Sequence, residues 1–553
     1  MPTDCPDPGL PTSLDGVAGT GTAASTADLT GRDRMACNVV ASWAGHMVFV
    51  VAGFILPRFL DRHLGQEALG VWDFAWSLAS YFGLAQIGIG SSVNRYVARY
   101  RAVGDVTGVN RAVSSVMLVQ MASAGVAAVL GALTALMLPH VFGARLAGHV
   151  AECQWVVLLL GAGVAFQLLC NPFVGVITGC HRWDIHNGIN AGAHLVSFAA
   201  MLIVLLGAGG LRGLAVASLF GVVTGEIVRV ILGHRVCPEL RIRLSEARWS
   251  QIVEMTVFGG KTMLNSVARL LLYQTNSMVI AAYLGPGALA LYSRPRALVS
   301  HAQTLINKFG FVLSPMASSL QASNRPEEIR NLLLQSSRGA AFLALPMVLC
   351  LTILGDPILR VWMGPRYEQG LVLAILAIGH VTEMTRQPAV NILAGMNLHG
   401  RLALVNLFVG LVSVLLGLLV VGHLGWGLVG AALSVAIPLS LVNGLYVPVY
   451  ACRRIGIPVL EYLIQANRSP LLCAVPFGMC LLGARLVFRE SALLAIGVGV
   501  TVGGMVLAFL CRRALRGRRR PIAASVSIGG KARAVATVRQ ARANVAKGVG
   551  EIA

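Results

Sequence analysis

Leu64-Gly65-Gln66-Glu67-Ala68-Leu69-Gly70-Val71-Trp72 opens one long apolar stretch, and Leu284-Gly285-Pro286-Gly287-Ala288-Leu289-Ala290-Leu291-Tyr292 opens another, 220 residues later. The shared frame is Leu-Gly-x-x-Ala-Leu, closed by an aliphatic residue and an aromatic ring. A second pair follows, Pro172 to Gly179 (PFVGVITG) and Pro388 to Gly395 (PAVNILAG), 216 residues apart. Two landmarks at nearly one offset mark a chain that repeats itself once. In a membrane protein such a repeat builds two helical bundles facing each other across a central pathway. The pattern points to a transporter before any single side chain does.

Composition agrees. Hydrophobic residues are 56% of 553 and charged residues only 12%, about half the share of a soluble chain. Mean hydropathy is +0.73. The apolar runs can cross a ~30 Å hydrocarbon core as helices of about 20 residues. The alternation of a β-barrel is absent. The net charge is +21, and from Arg512 to Ala553 nine Arg and two Lys face one acid, Glu551. A basic tail beside a membrane meets anionic lipid first, so lipid and not nucleic acid is its expected partner. The eleven cysteines are scattered, with no CxxC and no His/Cys ligand spacing. Neither a disulfide framework, a metal site nor a cofactor is expected. Residues 1–34 lack a basic start followed by an apolar core and read as a disordered cytoplasmic leader.

Fourteen spans are predicted: 37–57, 68–93, 112–138, 155–178, 188–207, 212–232, 258–283, 288–315, 336–359, 371–394, 402–422, 427–450, 470–488 and 491–511. The repeat pairs then match helix 2 to helix 8 and helix 4 to helix 10. An offset of six helices inserts both halves the same way up, about an axis along the membrane normal. The expected fold is therefore an all-α polytopic membrane protein of two pseudo-symmetric six-helix bundles plus two extra C-terminal helices. Its parts are the leader (1–34), an N-terminal lobe (35–233), a cytoplasmic interfacial linker (234–257), a C-terminal lobe (258–450), helices 13 and 14 (451–511) and a basic cytoplasmic tail (512–553). Seventeen Lys/Arg follow the even helices and eight the odd ones, which puts both termini inside. Arg241, Arg243, Trp249 and Ile252 suit a linker lying on the inner membrane surface. No outer loop is long enough to fold as a catalytic domain.

The residues then support a family. Arg58-Phe59-Leu60, Leu64-Gly65, Gly70, Ile87-Gly88-Ile89-Gly90 and Asn94-Arg95-Tyr96-Val97-Ala98 resemble bacterial polysaccharide and oligosaccharide flippases. So do Tyr283-Leu284-Gly285, Tyr292-Ser293-Arg294 and Gly395-Met396-Asn397-Leu398-His399-Gly400-Arg401 in the second half. These proteins belong to the superfamily of multidrug, oligosaccharidyl-lipid and polysaccharide exporters. The similarity covers roughly residues 37–511. It implies a carrier in the bacterial cytoplasmic membrane that moves undecaprenyl-diphosphate-linked oligosaccharide to the outer leaflet. It also implies two lobes in a V, with helices 1, 2, 7 and 8 lining the cavity. The basic tail is not a general feature of the family.

A lipid diphosphate is an anion with a large polar sugar. Carrying it calls for fixed positive charge in a wet cavity, with arginine suited by its planar fork. A charge at the bilayer centre costs about 2.5–3.5 kcal/mol on insertion scales, so such residues normally face a cavity. Helix 7 carries Lys261, Thr262, Asn265, Arg269 and Asn276 within one arc. Helix 8 carries Arg294, His301 and Lys308 at spacing seven, with Arg296 beside them. For Lys261, Lys308, Arg294 and Arg296 snorkelling to an interface is the alternative, and a lone His301 also fits a satisfied core position. Arg58 ends helix 1 outside, as cavity residue or interfacial anchor. The substrate-binding candidates are thus Arg58, Asn265, Arg269, Asn276, Arg294, Arg296, His301 and Lys308.

Two acids are candidates for coupling to H⁺ or Na⁺. Asp73 corresponds by the repeat to Ser293, next to Arg294. It either pairs with that base across the axis or anchors helix 2. Glu383 on helix 10 shares a face with His380, Gln387 and Asn391, and it has Arg386 at i+3 as a ready neutralising partner. Glu226 and Arg229 repeat that spacing near the cytosol and read as structural. Gly83, Gly88 and Gly90 on helix 2 and Gly259-Gly260 on helix 7 permit bending, or merely close packing.

The expectation is a flippase with no catalytic residues, whose partners are a lipid-linked oligosaccharide, membrane lipid and the polysaccharide polymerase or export machinery. A multidrug or cation antiporter of the same superfamily is the nearest rival, but its cavity should be acidic. A membrane glycosyltransferase would need a D-x-D or similar acidic cluster, which is not visible. A non-transporting scaffold would leave the polar stripes inside helices unexplained.

Overall fold

The structure is a computed structural model and describes residues 35–86, 92–146, 148–310 and 312–516. The expected leader, and the tail beyond Arg516, lie outside the described residues, as do Gly88, Gly90 and the side chains of Lys261 and Thr262.

Fourteen long helices run in the expected order. The first lobe is α1 (Met35–Leu64), α2 (Gln66–Phe82), α3 (Val106–Phe142), α4 (Val150–Gly179), α5 (Trp183–Leu206) and α6 (Gly210–Val236). The second begins with α7, which runs Trp249–Leu270, through a π turn at Leu271–Thr275, into Asn276–Leu284. Then come α8 (Pro286–Gly310), α9 (Pro326–Ile353) and α10 (Gly370–Gly395). In α11, Gly400–Gly417 ends in a π turn at Leu418–His423. In α12, Gly427–Leu441 passes through a π turn at Val442–Tyr446 into Val447–Ile455. The appended helices are α13 (Val459–Val487) and α14 (Ala492–Arg516). Among the described residues there is no strand.

Nine of these helices are long and apolar enough to cross a membrane by length and composition alone. The chain is a multi-pass membrane protein. The five that fall short are α1, α2, α7, α8 and α10, and they hold every candidate substrate and coupling residue named above.

The repeat is visible in packing and in backbone. In the first lobe α1 packs on α5, α2 and α3 on α4, and α6 on α4 and α5. In the second α7 packs on α11, α8 and α9 on α10, and α12 on α10 and α11. Gly65 and Gly285 precede α2 and α8 with φ of 88° and 86°, a left-handed conformation that only glycine adopts without strain. The aromatic rings that close the two frames, Trp72 and Tyr292, are both buried in one apolar cluster. At the other landmark His181 and Asn397 turn the chain with φ of 56° and 57° after α4 and α10. There Gly179 admits a short helix, Val93–Ala102, and Gly395 admits its counterpart, Leu313–Ala322, because a Cβ would collide with Val97 or with the Ser314 carbonyl.

The apolar cores state the shape. In the half that the loop charges assign to the outside, and that is called outer on that ground, one cluster spans both lobes, from Leu60, Trp72 and Phe74 to Leu289, Tyr292, Trp362 and Tyr367. In the inner half the core is divided. One cluster belongs to the second lobe and α13 (Leu313, Ile392, Tyr462) and another to the first lobe and the root of α7 (Val97, Phe173, Ile252, Met255). The two bundles thus share one apolar core at one end and keep separate apolar cores at the other.

Several boundaries differ from expectation. Helix 2 stops at Phe82, at the first glycine of its glycine run, and helix 8 stops at Gly310; each is followed by the short helix just described. α9 and α13 each begin about ten residues early, because their polar first turns engage each other: Arg330 pairs with Glu461 at 3.1 Å and Arg338 Nε donates to the Gln465 carbonyl at 2.9 Å. The linker is held by the first lobe. Backbone N–H groups of Arg241, Arg243 and Arg248 donate to Asn110, Ser114 and Ser115 of α3 at 2.9–3.0 Å, which straps the segment to the first lobe. Ile252 is buried beneath it, while Trp249 is 76% exposed.

Candidate functional site

The outer seam is latched by side chains that seize backbone. Arg58 donates to the carbonyls of Val361 and Trp362 at 2.7 and 2.8 Å. The Trp362 indole donates to the Phe54 carbonyl at 2.6 Å, and Gln66 donates to that of Gly287 at 2.8 Å. The Tyr367 hydroxyl donates to Asp61 at 2.5 Å. Gly70 lies against Pro286, where a Cβ would strike the carbonyl. Arg58 thus holds the two lobes together through the main chain at Val361 and Trp362.

Below the latch Asp73 of α2 and Arg294 of α8 form an ion pair across the seam. Arg294 is buried and its Nε has no partner, so the guanidinium is not saturated by Asp73. About two turns further in, the Tyr81 hydroxyl is hydrogen-bonded to Thr275 in the π turn of α7. That turn frees a local carbonyl from the helical ladder, a distortion common at functional sites.

Beside the π turn the second lobe presents a polar face. Arg296 lies 3.8 Å from the centroid of the Tyr273 ring. The Tyr273 hydroxyl and His380 Nε2 are 3.4 Å apart. Gln303 donates to Glu383 at 2.6 Å, and Arg269 and Arg296 are within electrostatic reach of that carboxylate. Arg269 is exposed and Arg296 half-buried. Asn265 is half-buried and hydrogen-bonded to Asn406 of α11 at 3.4 Å.

The inner half of the seam is basic. Lys308 of α8 donates to the Ser42 carbonyl of α1 at 3.0 Å and lies 5.2 Å from the Trp43 ring. His301 stacks on Phe54 at 5.3 Å between centroids. His46 of α1 is within electrostatic reach of both Lys308 and His301. Among the described residues no carboxylate forms an ion pair with any of these three.

Two expectations are corrected. Asn276 is 3% exposed and points into its own lobe, donating to the Tyr292 hydroxyl at 3.0 Å and the Ala431 carbonyl at 3.3 Å, so it is a packing node. Glu383 and Arg386 do not neutralise each other. Arg386 turns the other way, 5.1 Å from the Tyr462 ring of α13. By contrast Glu226 and Arg229 pair at 2.6 Å, with Asn190 accepting from Arg229 at 2.6 Å. Sequence reasoning missed His46. Its signal was faint: it lies one turn beyond Ser42 on the face that meets Lys308.

Known proteins place this architecture. Residues 110–371 match the family described as polysaccharide biosynthesis protein. The membrane protein EpsK of Bacillus subtilis (strain 168), whose function is uncharacterised, is 24% identical over 498 residues, covering 86% of this chain and 95% of its own length. The lipid II flippase MurJ in an inward closed conformation superposes with a TM-score of 0.67 at 12% identity, over 87% of this chain and 99% of that one. An inward-facing multidrug resistance transporter of the MATE family superposes with a TM-score of 0.59 at 15% identity, over 76% and 98%. The resemblance read from the sequence is thereby borne out: residues 110–371 match a polysaccharide-biosynthesis family, and the chain has the fold of MurJ and the MATE transporters.

Proposed function

We propose that the protein flips an undecaprenyl-diphosphate-linked oligosaccharide, or a related polysaccharide precursor, across the bacterial cytoplasmic membrane by alternating access, with both termini in the cytosol. The observation that carries the reading is the sign of the seam. Its inner half offers His46, His301 and Lys308 from two lobes, with Arg269 and Arg296 deeper in. The acids that the neighbouring helices α2 and α10 bring to the seam are already engaged, Asp73 by Arg294 and Glu383 by Gln303. A lipid diphosphate entering from the inner leaflet meets the Lys308 ammonium, the hydrogen-bonding imidazoles of His46 and His301, and then the guanidinium groups of Arg269 and Arg296, whereas a drug cation is repelled by the same Lys and Arg charges. That ordering ranks the antiporter reading second.

An exchange at the middle of the seam follows from charge. A diphosphate that reaches Arg294 competes with Asp73 for the guanidinium fork and can engage its unpartnered Nε. Asp73, left without its cation inside the membrane, then requires a proton or a sodium ion. Asp73 is thus the first candidate for the coupling site and Glu383 the second. The released lipid-linked sugar would pass to a polymerase or export machinery outside.

The test is complementation of a strain lacking the gene, with surface polysaccharide and membrane-inserted protein measured together. His46→Ala/His301→Ala/Lys308→Ala, and Arg269→Ala alone, should abolish surface polymer at normal protein level. Wild-type polymer from the triple variant would overturn the assignment.

A further inference from the structure

Two buried cysteines at the inner end of the first lobe belong to one cluster. Cys180 follows α4 and Cys237 follows α6, so 57 residues of chain separate them while their thiols come within interaction reach of each other. Both belong to the apolar cluster that holds the root of α7 through Ile252 and Met255. Arg101 of the short helix Val93–Ala102 reaches the same sulfurs. A cavity of about 180 Å³, lined by Arg101, Asp105, Asn110, Cys237 and Glu239, leads to Cys237 from the side that the loop charges assign to the cytosol. The transport reading uses none of these groups.

We infer that Cys180 and Cys237 are a redox-reactive dithiol, modified through this cavity by a small peroxide, which closes them into a reversible disulfide. A guanidinium beside a thiol and a hydrogen bond from a second thiol both favour the thiolate. The hydrogen bond from Cys180, joined by Arg101, brings Cys237 down to about 7, and Cys180 as donor is pushed up. Cys237 is therefore the attacking sulfur and Cys180 the resolving one. The Cys237 thiolate attacks one peroxide oxygen and breaks the O–O bond, giving a sulfenic acid and hydroxide. Cys180 sulfur then displaces the sulfenic oxygen, and its proton leaves with that oxygen as water. The hydroxide takes up the proton lost in forming the thiolate. Two thiols and one peroxide thus become one disulfide and two waters.

The bond would fasten the end of α4 to the first residue of the strap between the lobes. The cavity admits a water-sized oxidant and has Arg101 beside the sulfurs, whereas the other adjoining cysteines, Cys473 and Cys511, lie within the apolar pair α13 and α14.

The experiment uses the full-length protein in native membranes, treated with hydrogen peroxide, then alkylated, digested and analysed by mass spectrometry. The expected result is a Cys180–Cys237 linked peptide that disappears on treatment with dithiothreitol. Thermal unfolding of the oxidised protein should move upward, and the shift should vanish in Cys180→Ala and Cys237→Ala alike. Cys180→Ala should instead accumulate a sulfenic acid at Cys237, trapped by dimedone. If both thiols of the wild type stay fully alkylated by maleimide after peroxide, while the denatured protein forms the disulfide, the proposal is overturned. Dimedone labelling of Cys180 in place of Cys237 would overturn the assigned roles.

Discussion

The two lobes share one chain path but not one texture. The second lobe carries three π turns, at Leu271–Thr275, Leu418–His423 and Val442–Tyr446, and the described helices of the first lobe carry none. Each lobe also holds a buried or half-buried carboxylate, differently partnered. In the first, Glu226 is tied to Arg229 and through it to Asn190, all within the lobe. In the second, Glu383 is held by Gln303 beside two arginines and a tyrosine that line the polar face. The first lobe is built as a frame; the second is built with slack in its helices where its polar groups gather. Pseudo-symmetry of fold thus coexists with a division of labour.

The strongest way to break this comparison is to remove one cation from each kind of buried pair. Arg229→Ala and Arg294→Ala should each cost about 3–5 kcal/mol, read by thermal unfolding in detergent, because each strands a carboxylate. Replacing both partners separates structure from transport. Glu226→Leu/Arg229→Met should restore stability and surface polymer together, whereas Asp73→Leu/Arg294→Met should restore stability without polymer. Normal polymer from the second pair would mean that the lobes do not differ in this way.

A smaller effect is expected where the lobes touch. Gly70→Ala puts a Cβ against the Pro286 carbonyl and should disfavour the closed outer seam by about 1–3 kcal/mol. Spin labels on the outer ends of α1 and on the loop near Tyr367 should report a longer distance. Gly161→Ala, inside the first lobe, meets Gly131 and Phe82 only at 3.3 Å and should leave that distance unchanged.

Tyr273→Leu removes the ring under Arg296 and should cost about 1–2 kcal/mol in unfolding measurements, with export reduced. An unaltered export rate would show that the polar face of the second lobe is only structural.

The smallest effect concerns helix starts. Asp105 caps α3 by accepting from Gly108 N–H at 2.8 Å, while α9, its counterpart, begins after Arg325 with no side-chain cap. Asp105→Ala should cost about 1 kcal/mol and Arg325→Ala close to nothing. Hydrogen bonds from the Thr107 hydroxyl and the Gly108 amide hold the Asp105 carboxyl below the usual carboxylate range. Its contribution is therefore complete above that range and lost as pH falls through the lowered value. A pH titration of stability for wild type and Asp105→Ala should show the two curves converging only in acid.

The repeat was legible because it rests on side-chain requirements: a left-handed turn demands Gly65 and Gly285, and a crowded crossing demands Gly179 and Gly395. The approach of Asp73 to Arg294 was legible for the same reason, since the offset aligned the two positions. The outer latch was not. Arg58, Gln66 and Trp362 bond to main-chain carbonyls, which every residue owns, so no partner residue signals the contact. The three π turns left no pattern either, because a single extra residue in a helix does not disturb an already uniform apolar run. Asn276 misled because an amide in an apolar helix looks alike whether it faces water or a neighbour.

The clasp between Asn110, Ser114 and Ser115 and the segment after Cys237 grips amide hydrogens and ignores what those residues display. Arg241, Arg243 and Arg248 can therefore be exchanged for almost any residue without loosening it, and only proline, which lacks the hydrogen, would undo a grip. The side chains are left at liberty to drift over evolutionary time while the first turns of α7 stay moored to the opposite bundle. Any swing between the bundles must then be taken up further along that helix, past Val257, where its companions change from one bundle to the other.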